Sequence, residues 1–222
     1  MMFKNKSPQW PVRLMAIGLA AIVLAMLAGC AYTPTGAEIV ANLKNSFGER
    51  GSAKLDRLDQ TALQETCSQA AESGKDLDEA IKGKIEAMVL ASIPYPADGK
   101  YMGDWKEGEK IAQNGRGLQF SDAVGSANGA NCYACHQLSP QEISFGNQGP
   151  SLLKYGVLRG VKDPTSKDAE AIVKYTWARI WNTHAFNACN GMPRFGDAGI
   201  LTPAQIKDVM ALLLDPASPV NQ

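Results

Sequence analysis

The chain has 222 residues, with 22 Lys plus Arg against 22 Asp plus Glu and a formal net charge of zero. That balance offers no field to draw the protein as a whole onto nucleic acid, and no nucleic-acid partner is expected. Apolar residues at 45% and charged residues at 20% can build the core of one or two domains, which excludes wholesale disorder.

Residues 1–29 read as a lipoprotein-type signal peptide. Lys4, Lys6 and Arg13 make a positive start, and a run of 16 uncharged residues from Leu14 to Gly29 ends in Leu27-Ala28-Gly29-Cys30. Basic, then apolar, then small residues is the export pattern. The run is somewhat shorter than the roughly 20 residues of a comfortable membrane span; an uncleaved anchor and cleavage by ordinary signal peptidase are the alternatives. The end of the segment resembles a bacterial lipobox. That resemblance implies cleavage before Cys30 and lipid on its sulfur and new N-terminus, a multi-chain anchor and the one expected link to a membrane. Cleavage removes three positive charges and no acids, leaving 19 basic against 22 acidic residues, a net of −3. Export places the chain in the periplasm, an oxidising compartment where disulfides persist.

Residues 30–97 read as a helical extension. Ile39, Val40, Leu43 and Phe47 form one stripe, and Leu77, Ile81, Ile85 and Met88 another. Between them, Lys54 to Ala71 is a charged helical stretch with Leu55, Leu58, Ala62 and Cys67. Pro94-Tyr95-Pro96 stops the last helix, because proline removes a donor and restricts its predecessor.

Residues 98–222 form the main domain. Asp104 is placed to cap a helix through Ile111 to Asn114, with Glu107 at the third position as in a capping box, and Gly115 and Gly117 end it. A Gly/Ser/Asn-rich loop leads to Cys132-Tyr133-Ala134-Cys135-His136. From there to about Thr165 the chain has no period of its own. A helix is predicted from about Lys167 to Asn182, with Val173, Trp177, Ile180 and Trp181 on one face. The last helix has Thr202 as cap, Pro203 at its first position and a stripe of Ile206, Val209, Met210 and Leu213. No strand or hairpin signal is present.

The chain holds five Cys and two His, and three of those seven residues fall in the window Cys132–His136. Chance would give this C-x-x-C-H spacing in roughly one chain per thousand at these frequencies. Cys132 and Cys135 can each add to a vinyl group of one haem, and His136 can reach the iron from the proximal side. Such a covalently bound haem c would also make sense of the long irregular stretch that follows, which would otherwise count against a compact domain. The rival readings are a redox dithiol, which belongs beside a strand in a thioredoxin-like pattern, and a structural zinc site with His184 or Cys189 as fourth ligand.

A sixth iron ligand must come from downstream. Met192, in the loop Gly191-Met192-Pro193-Arg194, and His184 are the candidates; Met210 reads as core. A Met/His pair would raise the reduction potential relative to two histidines. Pro150 lies 14 residues past His136, and its carbonyl could accept from the imidazole nitrogen that does not face iron, fixing the ring plane. Cys67 and Cys189 remain, and an isolated pair in an oxidising compartment usually bridges.

The second half resembles the SoxX family. The residues that carry the resemblance are Met192-Pro193-Arg194-Phe195-Gly196, then Leu201-Thr202 with Ile206 and Asp208-Val209, and the tail Leu214-Asp215-Pro216-Ala217-Ser218-Pro219-Val220-Asn221. Gly146-Asn147-Gln148-Gly149-Pro150-Ser151-Leu152 fits the same family. The resemblance covers about residues 94–222. It implies an all-α, class I cytochrome c-like domain with His136 and Met192 as axial ligands of one haem c. It also implies a heterodimer with a SoxA subunit. Together these form an L-cysteine S-thiosulfotransferase that joins thiosulfate oxidatively to a cysteine of the SoxYZ carrier. The bond-making residues would be on SoxA, so no catalytic residue is expected here; electrons would pass to this chain and on to a soluble cytochrome c. A stand-alone electron carrier is the alternative. Two departures from the simplest members are the extension with Cys67 and the apparent lipobox.

Overall fold

The computed structural model describes residues 33–222, so the expected signal peptide and the expected acylation of Cys30 lie outside the described residues. Within them the secondary structure is helical and there is no strand, only an isolated bridge between Arg50 and Ala53. No described helix is long and apolar enough to cross a membrane. The chain divides into two compact units, one ending at Gly48 and one over Glu49–Gln222.

In the first unit, helix α1 (Gly36–Ser46) begins at Thr35, whose hydroxyl accepts from Glu38 N–H while the Glu38 carboxylate accepts from Thr35 N–H. This reciprocal arrangement satisfies two amides that a helix start leaves orphaned. Ile39, Val40, Leu43 and Phe47 form the predicted stripe and are exposed.

The second unit holds α2 (Ala62–Glu72), α3 (Glu79–Ser92), α4 (Trp105–Gln113), the one-turn helix α5 (Tyr155–Leu158), α6 (Glu170–Trp181) and α7 (Pro203–Leu214), with short 3-10 turns between them. The predicted helical stretch from Lys54 to Ala71 is in fact split. Leu55–Leu58 is a 3-10 turn, and a new helix starts after Thr61, which with Gln64 forms a second capping box. A strong cap begins a helix wherever it occurs, and here it outweighs the continuous charge pattern. The stripe of α3 is also rotated from the prediction. Val89 and Ile93 are buried while Met88 is 67% exposed, so the covered positions are Ile85, Val89 and Ile93. Asp104 does cap α4, but through Lys106 N–H, and Glu107 pairs with Lys110 instead of closing a capping box. The irregular stretch after His136 contains α5, which had no periodic signal because it is a single turn.

The extension lies against the main domain within this unit. Ser52 donates to the Gln119 carbonyl at 3.1 Å, Arg57 donates to the Leu118 carbonyl, and the Arg50 guanidinium lies 4.9 Å from the centre of the Phe120 ring. Helix α3 packs against the turn Thr183–Ala185. The Trp177 ring, 1% exposed, is central: its Nε1–H donates to the Pro94 carbonyl at 2.9 Å, Tyr101 meets it edge-on and Trp181 stacks on it.

Helices α4 and α7 cross closely. At Gly108 a Cβ would collide with the backbone of Asp208 and lie 3.1 Å from the Leu212 Cβ. A glycine inside a helix costs about 1 kcal/mol relative to alanine; here it permits the approach. The Asp208 carboxylate also accepts from Asp104 N–H at 2.9 Å, capping the junction from the other helix. The residues after α7 are built in as well. Ser218 donates to the Leu212 carbonyl at 2.6 Å, and the Asn221 amide bonds to Leu213, Asp215 and Gly156. This tail therefore satisfies the C-terminal carbonyls of α7 that a helix end leaves open.

Candidate functional site

The segment Cys132–His136 is positioned by the end of α4. Ala130 N–H donates to the Ile111 carbonyl and Asn131 N–H to the Asn114 carbonyl, so the chain leaves the helix terminus already tied to it. Asn131 then adopts a left-handed conformation, φ 48°, which Asn tolerates better than most side chains. Cys132–Ala134 form a 3-10 turn, and both Cys135 N–H and His136 N–H donate to the Cys132 carbonyl. This single turn brings the two sulfurs and the imidazole to one side.

His136 is held from the irregular stretch. Its Nδ1 is 2.7 Å from the Pro150 carbonyl oxygen. A carbonyl oxygen only accepts, so Nδ1 carries a proton and Nε2 is the nitrogen left to bind a metal. Gly149 lies against the ring, where a Cβ would run into the imidazole, and its N–H donates to the Cys135 carbonyl at 2.9 Å.

A cavity of about 560 Å³ opens beside this turn, and Cys132, Cys135, His136 and Met192 all line it. Met192 is partly buried in a loop held at both ends. Upstream, its N–H donates to Asn190 Oδ1 at 2.8 Å. Downstream, Phe195 is buried, and Gly196 N–H donates to the Trp181 carbonyl with no room for a Cβ against the indole. The Met-Pro-Arg-Phe-Gly run thus seats a loop on α6. His184, the rival ligand, is not at the cavity. It is 5% exposed, its Nε2 is 3.1 Å from the Asn190 carbonyl, and its Nδ1 is buried without a partner. Burial, and to a smaller extent Arg194, push the His184 imidazole below its usual range, while the Asn190 hydrogen bond and Asp197 pull it back; the ring braces the methionine loop through the Asn190 carbonyl.

Two cationic residues were not anticipated from sequence. Arg179, on α6, is partly buried and lines the cavity, donating to Tyr175 Oη at 3.0 Å and Thr183 Oγ1 at 3.3 Å. Arg159, an exposed residue, also lines the cavity, its guanidinium 3.6 Å from the Tyr155 ring centre. Among the described ion pairs none gives either arginine a carboxylate partner. A partly buried charge without a counter-ion is costly, and an anionic ligand would offset it. The signal in the sequence was a charged residue set between the core positions Ala178 and Ile180, four positions after Tyr175.

Cys132 and Cys135 are free thiols, and Cys67 is bridged to Cys189 with a Cα–Cα distance of 5.6 Å. Burial pushes the Cys132 thiol up to about 12, although part of the residue faces the cavity. The reactive thiol of a redox dithiol needs a lowered value, which Cys132 does not have. The zinc reading also fails: among the described residues no three His, Cys, Asp or Glu side chains cluster to hold a metal ion, and neither His184 nor Cys189 is available. Two sulfurs, an imidazole and a thioether lining one cavity, with two guanidinium groups that have no carboxylate partner, suit one group: a dianionic tetrapyrrole with two vinyl attachment points and an iron to ligate.

Comparison with known proteins agrees with this geometry. Residues 105–215 match the family model for cytochrome c. A protein of Aquifex aeolicus (strain VF5) described as an uncharacterized lipoprotein is 38% identical over 191 residues, covering 84% of each chain.

Proposed function

The chain belongs to the cytochrome c family, and on that premise we propose that it is the membrane-anchored electron-transfer subunit of a SoxAX-type thiosulfate-oxidising complex. A cytochrome c domain implies covalently bound haem c and haem-based electron transfer; the bound group supplies a one-electron iron couple. Cys132 and Cys135 would hold one such group through thioethers, with His136 Nε2 and the Met192 thioether as axial ligands. The side chains of Arg179 and Arg159 would meet its carboxylates, and Pro150 would fix the imidazole. The convergence of Cys132, Cys135, His136 and Met192 on one cavity carries the electron-transfer reading.

The finer assignment is supported by the resemblance of the Met192–Gly196 run and the tail to SoxX. Joining thiosulfate to a cysteine thiol of SoxYZ forms one S–S bond and releases two electrons and the thiol proton. In this reading SoxA carries the bond-making residues, and this chain receives electrons and passes them to a soluble cytochrome c. The lipobox-like sequence before Cys30 and the description of the Aquifex relative as a lipoprotein support a periplasmic location with acyl chains on Cys30.

The intact mass of the native protein would show one haem, the cleavage site and any acyl chains. Met192→Ala should abolish the sulfur–iron charge-transfer band, and its persistence would overturn the ligand assignment. Co-purification with a cysteine-ligated haem protein, and reduction by thiosulfate plus SoxYZ only when that partner is present, would support the SoxAX role. A purified chain with no such partner would point to a stand-alone carrier instead.

A further inference from the structure

Three consecutive residues ahead of Met192 are each tied to a different part of the chain. Ala188 N–H donates to the Glu86 carboxylate of α3, 102 positions away, at 3.2 Å. Cys189 is bridged to Cys67 of α2, 122 positions away. The Asn190 carbonyl accepts from His184, and its side-chain oxygen accepts Met192 N–H. Local bonds to Asn187 shape the same turn, so the long-range ties are not needed to form it. What they add is restraint. A thioether is a neutral ligand on a loop between Gly191 and Pro193, and loop opening sets how often it leaves its post.

We propose that Glu86, the Cys67–Cys189 bridge, His184 and Asn190 form a clamp of positioning residues that holds Met192 in place, so that the helical extension serves axial ligation. The inference rests on Met192 being the ligand. The two ties from the extension act on residues 188 and 189, and Asn190 transmits their restraint to the ligand backbone. Ala188, 1% exposed, leaves the turn little freedom to shift.

The test is the rate at which added imidazole displaces Met192 from the oxidised, haem-loaded protein, followed by loss of the sulfur–iron band. Glu86→Ala, Asn190→Ala and the paired Cys67→Ser/Cys189→Ser change should each speed displacement by about fivefold or more, the effect of losing roughly one net hydrogen bond. Glu86→Gln and Asn190→Asp keep an acceptor oxygen and should restore a rate near wild type. Met88→Ala, which removes an exposed side chain on the same helix, should leave the rate unchanged even if it lowers stability. If the bridge variant fails to load haem, the Asn190 and Glu86 pairs decide the matter with the bridge intact. Wild-type rates in Glu86→Ala and Asn190→Ala would overturn the clamp. Absence of the sulfur–iron band from wild type would overturn the assignment of Met192 itself.

Discussion

Gly149 leaves no room for a Cβ against the imidazole of His136, while the carbonyl of the next residue, Pro150, accepts a hydrogen bond from its Nδ1 at 2.7 Å. One loop therefore sets both the plane of the ring and its tautomer. Gly149→Ala forces a methyl group into that plane, an overpacking that costs about 2 kcal/mol. The expected result is a lower yield of haem-loaded protein and a fraction of ferrous protein lacking the His136 bond. Absorption spectra of the purified variant check this; an unaltered spectrum at normal yield would contradict it.

The crossing of α4 and α7 makes a purely structural prediction. Gly108→Ala improves helix propensity by about 1 kcal/mol, yet its methyl would meet the backbone of Asp208. The collision should win, with a net loss of about 2 kcal/mol. Denaturant unfolding of the haem-loaded variant measures it, and a gain in stability would show that the helices part easily.

Arg179 faces the cavity without a carboxylate partner. A positive charge near the iron favours the reduced state, so Arg179→Gln should lower the reduction potential. Removing one positive charge from the cavity wall changes the potential by an amount on the order of tens of mV. Potentiometric titration decides, and an increase would show that the guanidinium does not act electrostatically on the iron.

The buried imidazole of His184 predicts a pH effect with a definite sign. Its folded-state value lies below 6.5, because burial disfavours the charged form. Well above pH 6.5 the ring is neutral whether folded or not and contributes nothing to pH dependence. As pH falls below that, the unfolded chain takes up a proton more readily, and stability declines until the folded value is reached. Denaturation midpoints at pH 7 and pH 5.5 should differ more in wild type than in His184→Gln. Equal differences would mean that other groups account for the slope.

The parts of this reading that were legible in the sequence share one property: their information is local. Cys132–His136 encodes its turn within five residues, and Thr202-Pro203 announces α7 without reference to the rest of the chain. Pro150 was accessible because a carbonyl 14 positions away sufficed for a geometric guess. The failures concern choices made by neighbours. Met88 looked like a core position because the stripe admits two nearby phases, and packing against the turn at 183–185 selects Val89 and Ile93. Glu107 had the right spacing for a capping box, but Lys110 takes its carboxylate. Arg179 could not be directed to a cavity before the fold existed. The tail residues used for family resemblance have a physical reason to be where they are, since Ser218 and Asn221 close the end of α7.

The Asp104–Asp208 contact joins positions separated by 104 residues, and the attachment turn lies between them. Residues 104 and 208 must meet for α4 and α7 to close at Gly108. Loss of α7 therefore removes the partner of the helix from which the attachment turn departs. A truncation before residue 203 would deprive the turn of that support.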